Sequence, residues 1–252
     1  MLQRSTKCVI ALFQHTVQTR QTVDDRQVMA APDRKRIRRS KDHSHSEKST
    51  KYNLVEKVNS WSGSDFFANF DTSEGISAVL KLHPRLGSLQ VAASDISPGY
   101  LEECLRLIGT TSGEDYQNSE IKWSPSKKRK EMKLPDMKYI LLTDQDRVIG
   151  FISFMVTYED GNEVVYIYEI HFSLDWQGKG LGRKLMDVVE VIGRNVGVTK
   201  VMLTVFKANE RAVQWYTRLG YAEDEFSPRP RKLRNGTVKE PTYIILSKPL
   251  TS

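Results

Sequence analysis

Gln177-Gly178-Lys179-Gly180-Leu181-Gly182 is the stretch on which the reading of this chain turns. It follows a β-rich run, Val164 to Phe172, and opens a run of helical spacing in which Leu181, Leu185, Val188, Val189 and Ile192 share one face. A helix N-terminus offers unpaired backbone N–H groups and the positive end of the helix dipole, so this junction suits an anion. Gly180 and Gly182 carry no Cβ to hold that anion away. Spacing then separates the phosphate loops that share these features. A Walker loop needs GxxxxGK followed by Ser or Thr, which is absent. A dinucleotide fingerprint needs GxGxxG, and here the third glycine comes one residue early. A plain flexible turn is the reading without a ligand.

Outward from this turn the pattern is that of an α/β protein. Downstream, Lys200 to Phe206 reads as an apolar strand, Glu210 to Leu219 as a helix and Tyr243 to Leu246 as a last strand. Upstream, Lys138 to Thr143 and Arg147 to Val156 are strands joined by Asp144-Gln145-Asp146, and Glu159-Asp160-Gly161-Asn162 turns the chain into Val164 to Phe172. Earlier still, Ser88 to Ala93 is a strand. Ser97-Pro98 places a cap before Pro at a helix start, and Leu101, Cys104, Leu105 and Ile108 form that helix's apolar stripe. Tyr52, Leu54, Val55, Val58 and Trp61 fit one short amphipathic helix, while Gly113 to Lys133 is polar and receives no element. The order predicts a mixed, mostly antiparallel sheet flanked by helices, without internal repeats.

Charge divides the chain differently. Up to Ser60 there are 13 Lys and Arg against 6 Asp and Glu, whereas the remainder has 25 of each, so the net +7 belongs to the N-terminal part. A domain with its own electrostatic footprint for nucleic acid is disfavoured. We read residues 1–49 as a disordered basic tail and 50–252 as one folded domain. Within the tail, Arg34 to Lys41 is a basic cluster, either solvated or read as a nuclear import signal. The first 22 residues hold Arg4, Lys7 and Arg20 and no acid, a faint presequence pattern. Cys8 and Cys104 are the only cysteines, which argues against a disulfide framework and a zinc site and fits a reducing, intracellular compartment. No run of about 18 apolar residues predicts a membrane span.

What remains for the turn is the R/Q-x-x-G-x-G/A pattern of GNAT acetyltransferases, in which successive amides cradle the pyrophosphate of coenzyme A. The sequence after it resembles that superfamily too: Val201 to Val205 is followed by Asn209, Ala212, Tyr216, Gly220 and Tyr221. Lys200 to Lys207, Tyr166 to Ile170 and Lys179 to Gly182 together resemble the NatD family, which acetylates the α-amine of histone H4 and histone 2A. The resemblance covers roughly Gly113 to Lys248.

The resemblance implies acetyl-CoA as co-substrate, no metal, histone H4 and histone 2A tails as partners, and action in nucleus and cytoplasm without nucleic-acid or membrane contact. It implies Glu169 as general base, with Tyr168 beside it in the catalytic group and Tyr216 protonating the departing thiolate. Tyr216 also suits a core position. His171, Phe172, Ser173, Gln177, Gly178, Lys179, Gly180, Leu181, Gly182, Arg183, Lys184 and Asn209 match acetyl-CoA contacts. Tyr116, Trp123, Tyr166, Tyr168, Thr204, Ser227 and Tyr243 match substrate contacts. For Glu169 the competing reading is a carboxylate paired with an unseen Arg or Lys, and for His171 a satisfied half-buried histidine. Strict alternation places Tyr166, Tyr168, Ile170 and Phe172 on one side of the strand and Val165, Ile167, Glu169 and His171 on the other. One position departs from the family, since Thr157 stands where relatives carry an Asp. Glu159 or Asp160 then replaces it, or peptide selectivity differs. Glu159, Asp160, Glu163, Glu223, Asp224 and Glu225 either flank a groove for a basic tail or form solvated loops. Acetylation of a Lys side chain or small amine, and a silent histone-binding module, are the rival functions.

Overall fold

The computed structural model describes residues 53–70 and 72–250. The tail assigned to 1–49, its basic cluster, the presequence pattern, Cys8 and Tyr52 lie outside the described residues.

Three helices precede the first strand where the sequence pattern offered one: α1 (Leu54–Asn59), α2 (Gly63–Asn69) and α3 (Ser73–Leu82). Each is too short to advertise a periodic stripe, yet Val58, Phe66 and Val79 are fully buried. Then follow β1 (Leu86–Ala92), α4 (Pro98–Asn118), α5 (Pro125–Glu131), β2 (Lys138–Asp144), β3 (Arg147–Glu159) and β4 (Asn162–Phe172). After a short 3₁₀ turn come α6 (Leu181–Val196), β5 (Lys200–Phe206), α7 (Glu210–Arg218), β6 (Ala222–Glu223), β7 (Arg231–Lys232), β8 (Val238–Lys239) and β9 (Tyr243–Pro249). Helix α4 starts where Ser97 accepts a hydrogen bond from the Tyr100 amide, but it runs ten residues past the apolar stripe, to Asn118. The polar stretch after Ile108 is therefore helical, and α5 lies within the same unassigned region.

Seven strands form one sheet in the order β1-β2-β3-β4-β5-β9-β6, while β7 and β8 pair separately. All pairings are antiparallel except β4 with β5. The sheet is buried on both faces. On one, Ile152, Phe154, Val165 and Ile167 pack with Phe66, Val79, Leu185, Val189 and Ile192 of α2, α3 and α6. On the other, Tyr139, Leu141, Phe151 and Met155 pack with Leu101, Cys104, Leu105 and Ile108 of α4. This is the mixed, mostly antiparallel sheet flanked by helices that the order of elements in the sequence predicts.

Two irregularities of β4 make the site. The parallel ladder pairs Val164 to Ile167 with Lys200 to Leu203 and stops there, although both strands continue to Phe172 and Phe206. Beyond Ile167 the centre of the sheet is open. In the same place the ladder with β3 steps from Ser153↔Glu169 to Phe154↔Ile167, leaving Tyr168 as the extra residue of a bulge. The bulge corrects the strict alternation read from the sequence. Ile170 and Phe172 fall on the face of Val165 and Ile167, packed with α6. Tyr168 packs on the α4 face. Glu169 and His171 bond to helices of that same face, so they share it with Tyr168 rather than with Ile167. A single unpaired residue thus sends one apolar pair and one polar pair to the sides opposite those predicted.

Candidate active site

The glycine-rich turn closes on the end of β4. The Gln177 side chain donates to the Phe172 carbonyl (3.0 Å), folding the turn back over the strand. Gly178 (φ 75°) and Gly180 (φ 78°) both sit in the left-handed region, and an added Cβ at either would meet nothing within 4 Å. The space above them is open. Gly180 caps α6 without a side-chain bond, so the first-turn amides of Leu181, Gly182 and Arg183 face that space. Leu181 itself is core (1% exposed) and contributes only its backbone. Gly182 differs from its neighbours, since its Cβ would lie 3.3 Å from the Trp215 ring. Its lack of a side chain serves helix packing as much as ligand approach. Lys179 lies over Trp176 at 5.2 Å, beside Arg85 on the same ring.

The open side of β4 is roofed by the C-terminal half of α4. Tyr116 reaches both strands, donating its hydroxyl to Glu169 Oε1 (2.8 Å) and stacking edge-on with Phe206 of β5 (4.9 Å). Asn209, at the start of α7, accepts from the Ala212 amide as a helix cap, and its NH₂ group donates to Asp115 of α4 (3.4 Å). Asn209 therefore ties α4 to α7 rather than offering a free side chain to a cofactor.

Glu169 is the centre of this region, only 7% exposed. Besides Tyr116, its Oε1 receives Lys128 Nζ of α5 at 2.7 Å, and its Oε2 meets His171 Nε2 at 2.6 Å. The other ring nitrogen, Nδ1, shares a hydrogen bond with Thr111 Oγ1 (2.6 Å). Lys128 also holds Glu131 (2.5 Å) and lies over the Tyr116 ring (4.8 Å). Burial alone would raise the Glu169 pKa, but Lys128 and the His171 hydrogen bond outweigh it and hold the group well below the usual carboxylate range. Glu169 is an anion here. Burial, and after it the Glu169 charge, keeps Tyr116 a phenol and so a donor. Burial likewise raises Glu131 against the pull of Lys128. The cation that the sequence reading left unseen is Lys128. It was hidden in Lys127-Lys128-Arg129-Lys130, a run that reads as solvated.

Around this cluster stand most of the predicted substrate residues. Tyr168 touches Tyr166 (ring centroids 5.4 Å), and the Tyr166 and Thr204 hydroxyls bond at 2.5 Å across β4 and β5. Trp123 stacks on Tyr116 at 5.5 Å, and Tyr243 lies opposite Phe206 in the β5–β9 ladder. The Tyr216 hydroxyl makes no hydrogen bond among the described residues. Burial, and then the nearby Glu169 charge, push its pKa up, so it remains a phenol. Ser227 is buried, and its Oγ accepts from the Ile245 amide (3.2 Å). His171 and Phe172 also lack free side chains, so a cofactor can meet them only through the backbone.

Of the two acids beside Thr157, Glu159 is the buried one. Its carboxyl is buried (7% exposed), and Oε1 has no partner. Burial, aided by Asp160 and opposed by Lys200, pushes its pKa up to about 7. Alternation along β3 puts it on the side of Phe151 and Met155, the face on which Tyr168 packs. Asp160, by contrast, is an exposed turn residue with φ 47°. The other acids are spoken for in part: Asp224 pairs with Lys200 (2.7 Å), and Glu163 accepts from the Leu54 amide (2.8 Å). Glu223 and Glu225 are exposed. Among the described residues no cluster of His, Cys, Asp or Glu could hold a metal ion, and no helix is long and apolar enough to cross a membrane.

Residues 105–221 match the sequence model of the acetyltransferase (GNAT) family. The chain is 31% identical over 154 residues to N-alpha-acetyltransferase 40 of Saccharomyces cerevisiae, a match covering 52% of this chain and 54% of that protein. It is 37% identical over 75 residues to mycothiol acetyltransferase of Propionibacterium freudenreichii, covering 30% of this chain and 24% of the relative. The chain thus spans about half, or less, of the length of these relatives. An acetyltransferase structure from Streptococcus agalactiae superposes with a TM-score of 0.50 at 15% identity, over 66% of this chain and 99% of the other. That likeness speaks to fold alone.

Proposed function

We propose, from the premise that this chain carries a GNAT acetyltransferase domain of NatD type, that it moves acetyl from acetyl-CoA to the N-terminal α-amine of histone H4 and histone 2A, in nucleus and cytoplasm. One observation carries the proposal. The unpaired stretch of β4 holds an ionised, buried Glu169 and leads into a turn whose amides face open space. An activated acyl group anchored at the turn and an amine beside the carboxylate would meet there.

The amides of Gly178 to Arg183, with Lys179 and Lys184, would hold the pyrophosphate. The thioester supplies an activated carbonyl. An α-amine has a pKa of about 7.7–8.0, so a useful fraction is neutral near pH 7, whereas a Lys amine near 10.4 needs a stronger base. Glu169 is a weak base, and that suits the first acceptor better than the second. Once the amine has added to the carbonyl its nitrogen is far more acidic, and Glu169 takes the proton. A β4 backbone N–H opposite the opening would hold the carbonyl oxygen as charge grows on it. Tyr216, kept as a phenol, gives its proton to the departing thiolate, while Tyr168, Tyr166, Thr204, Trp123 and Tyr243 line the peptide path. Glu159 favours a basic peptide: a buried carboxylate without a partner gains most from an incoming Arg or Lys.

Mass spectrometry of a Ser-Gly-Arg-Gly-Lys peptide after turnover is the test. Acetyl on the α-amine, and no product from a peptide whose α-amine is blocked, is the expected outcome. Equal product from the blocked peptide would instead favour Lys acetylation. Turnover of a small amine in place of peptide would move the acceptor toward the kind named for the mycothiol relative. No turnover at all would leave a binding module.

A further inference from the structure

Helix α5 is seven residues long and carries Lys127, Lys128, Arg129 and Lys130 in a row. Three of the four behave as surface charge. Lys127 and Lys130 are exposed, and Arg129 makes a forked pair with Glu102 on α4 (2.5 and 2.9 Å). Lys128 does the opposite. It is 8% exposed, and its ammonium is held between the Glu169 and Glu131 carboxylates, above the Tyr116 ring. A surface helix with three other cations to offer has no solvation reason to bury one of them. A buried ammonium is costly unless paired, and removing one member of such a pair leaves an uncompensated charge.

The groups facing Glu169 are few and can be named. From α5 come Lys128 and, behind it, Glu131; from α4 comes the Tyr116 hydroxyl; from β4 itself comes His171, backed by Thr111. From α7, Tyr216 feels the Glu169 charge, and from β2 so does Tyr139. Only Lys128 among them is a permanent cation. Tyr116 supplies a hydrogen bond without charge, and His171 carries charge only when protonated.

We infer that Lys128 is a positioning residue for acyl transfer: it acts through Glu169, holding the carboxylate ionised and aimed at the opening of the sheet. The inference rests on the reading that Glu169 meets the amine. Its consequence has a sign. Without Lys128, burial is no longer offset by a fixed positive charge, and the Glu169 carboxyl becomes harder to ionise. The catalytic carboxylate is then lost as pH falls, starting from a higher pH than in the native protein. Glu131 adds the same effect from the other side, because its own charge no longer has a counter-ion.

The experiment is a pH profile of kcat at saturating peptide and acetyl-CoA for the wild type, Lys128→Met, Lys128→Arg and Glu169→Gln. Lys128→Met should move the acidic limb up by several pH units, to about pH 7, because burial without the cation raises a carboxyl by up to about 3–5 units above its ordinary value. Relative activity should then fall at least about tenfold further at pH 6 than at pH 8.5, with KM for acetyl-CoA unchanged. Lys128→Arg should restore the native limb, because it restores the charge. Lys128→Gln, smaller and neutral, replaces the Met variant should that one fail to fold. A loss by one factor at every pH would make Lys128 merely structural and overturn the inference. So would an unshifted profile. If Glu169→Gln keeps native kcat, it is the assignment of Glu169 that fails, and Lys128 with it; if Glu169→Gln is inactive while the Lys128→Met limb stays in place, only the role of Lys128 fails.

Discussion

The turn at the mouth of α6 and the carboxylate cluster under α4 make their sites by opposite means. In the turn, the backbone does the chemistry. Left-handed glycines aim amides into open space, and the side chains there are busy elsewhere: Leu181 is in the core and Gln177 is bound to the Phe172 carbonyl. In the cluster, the chemistry belongs to side chains, brought from β4, α4 and α5 to one carboxylate. The first kind of site depends on a few neighbouring residues. The second depends on the whole packing of the sheet face.

The two should therefore separate under mutation, and the largest effect falls on the cluster. Glu169→Gln keeps the shape but removes the charge and turns one acceptor oxygen into a donor. It should lower kcat by about 10²–10⁴-fold while the acetyl-CoA Kd, read by calorimetry, stays within about threefold. Loss of cofactor binding instead would assign Glu169 to folding, since its partners span three elements. Gly180→Val is the mirror experiment. A β-branched residue at φ 78° is strained, at a cost of about 1–3 kcal/mol. Acetyl-CoA should bind roughly 10–100-fold more weakly, with kcat at saturation little changed. If both variants lose kcat and affinity together, the turn and the cluster are one mechanical unit and the contrast fails.

The same contrast explains what could be read from the sequence. Gln177 to Gly182 announced itself because its function lies in local conformation, and glycine spacing encodes conformation. The β4 run is also plain, yet strict alternation misplaces its faces from Glu169 onward, because a bulge leaves no mark when neither residue around it is Gly or Pro. Lys128 was invisible for another reason. Four consecutive cations cannot show which one faces inward, and that depends on where α5 docks. The carboxylates Glu131 and Glu169 that receive it lie on separate elements. Glu159 fell between: its acidity was noticed, but its burial without a partner follows from β3 running past Val156 to Glu159, into the hairpin.

Glu159 gives a smaller effect, with a sign that depends on pH. Its carboxyl prefers to be protonated in the folded protein, with a pKa raised by burial to about 7. Between the ordinary carboxylate range and that value the folded state binds more protons than the unfolded, so stability falls as pH rises through this window. Glu159→Gln removes that penalty. It should raise Tm by about 2–4 °C or more at pH 8 and leave it nearly unchanged at pH 4. The same variant should weaken a basic peptide about 5–10-fold at pH 8, the loss of one charge-assisted contact. A variant less stable than wild type at pH 8 would mean that the carboxylate has a partner in solution and is not waiting for one.

The smallest effect tests the turn against itself. Gly178, Gly180 and Gly182 look equivalent as letters, but only the first two have positive φ and open space where a side chain would be. An Ala Cβ at 182 would instead sit 3.3 Å from the Trp215 ring and 3.6 Å from Phe172. The helix gains up to about 0.5–1 kcal/mol from replacing Gly by Ala. Against this, the ring must yield by a few tenths of an ångström, so the two terms nearly cancel. Gly182→Ala should change stability by less than about 1 kcal/mol and the acetyl-CoA Kd by less than about threefold. Gly180→Ala, strained at φ 78°, should weaken the cofactor by about 5-fold or more. If the two alanines weaken acetyl-CoA alike, the bare Cα of Gly182 is there for the ligand, and the packing with Trp215 is incidental.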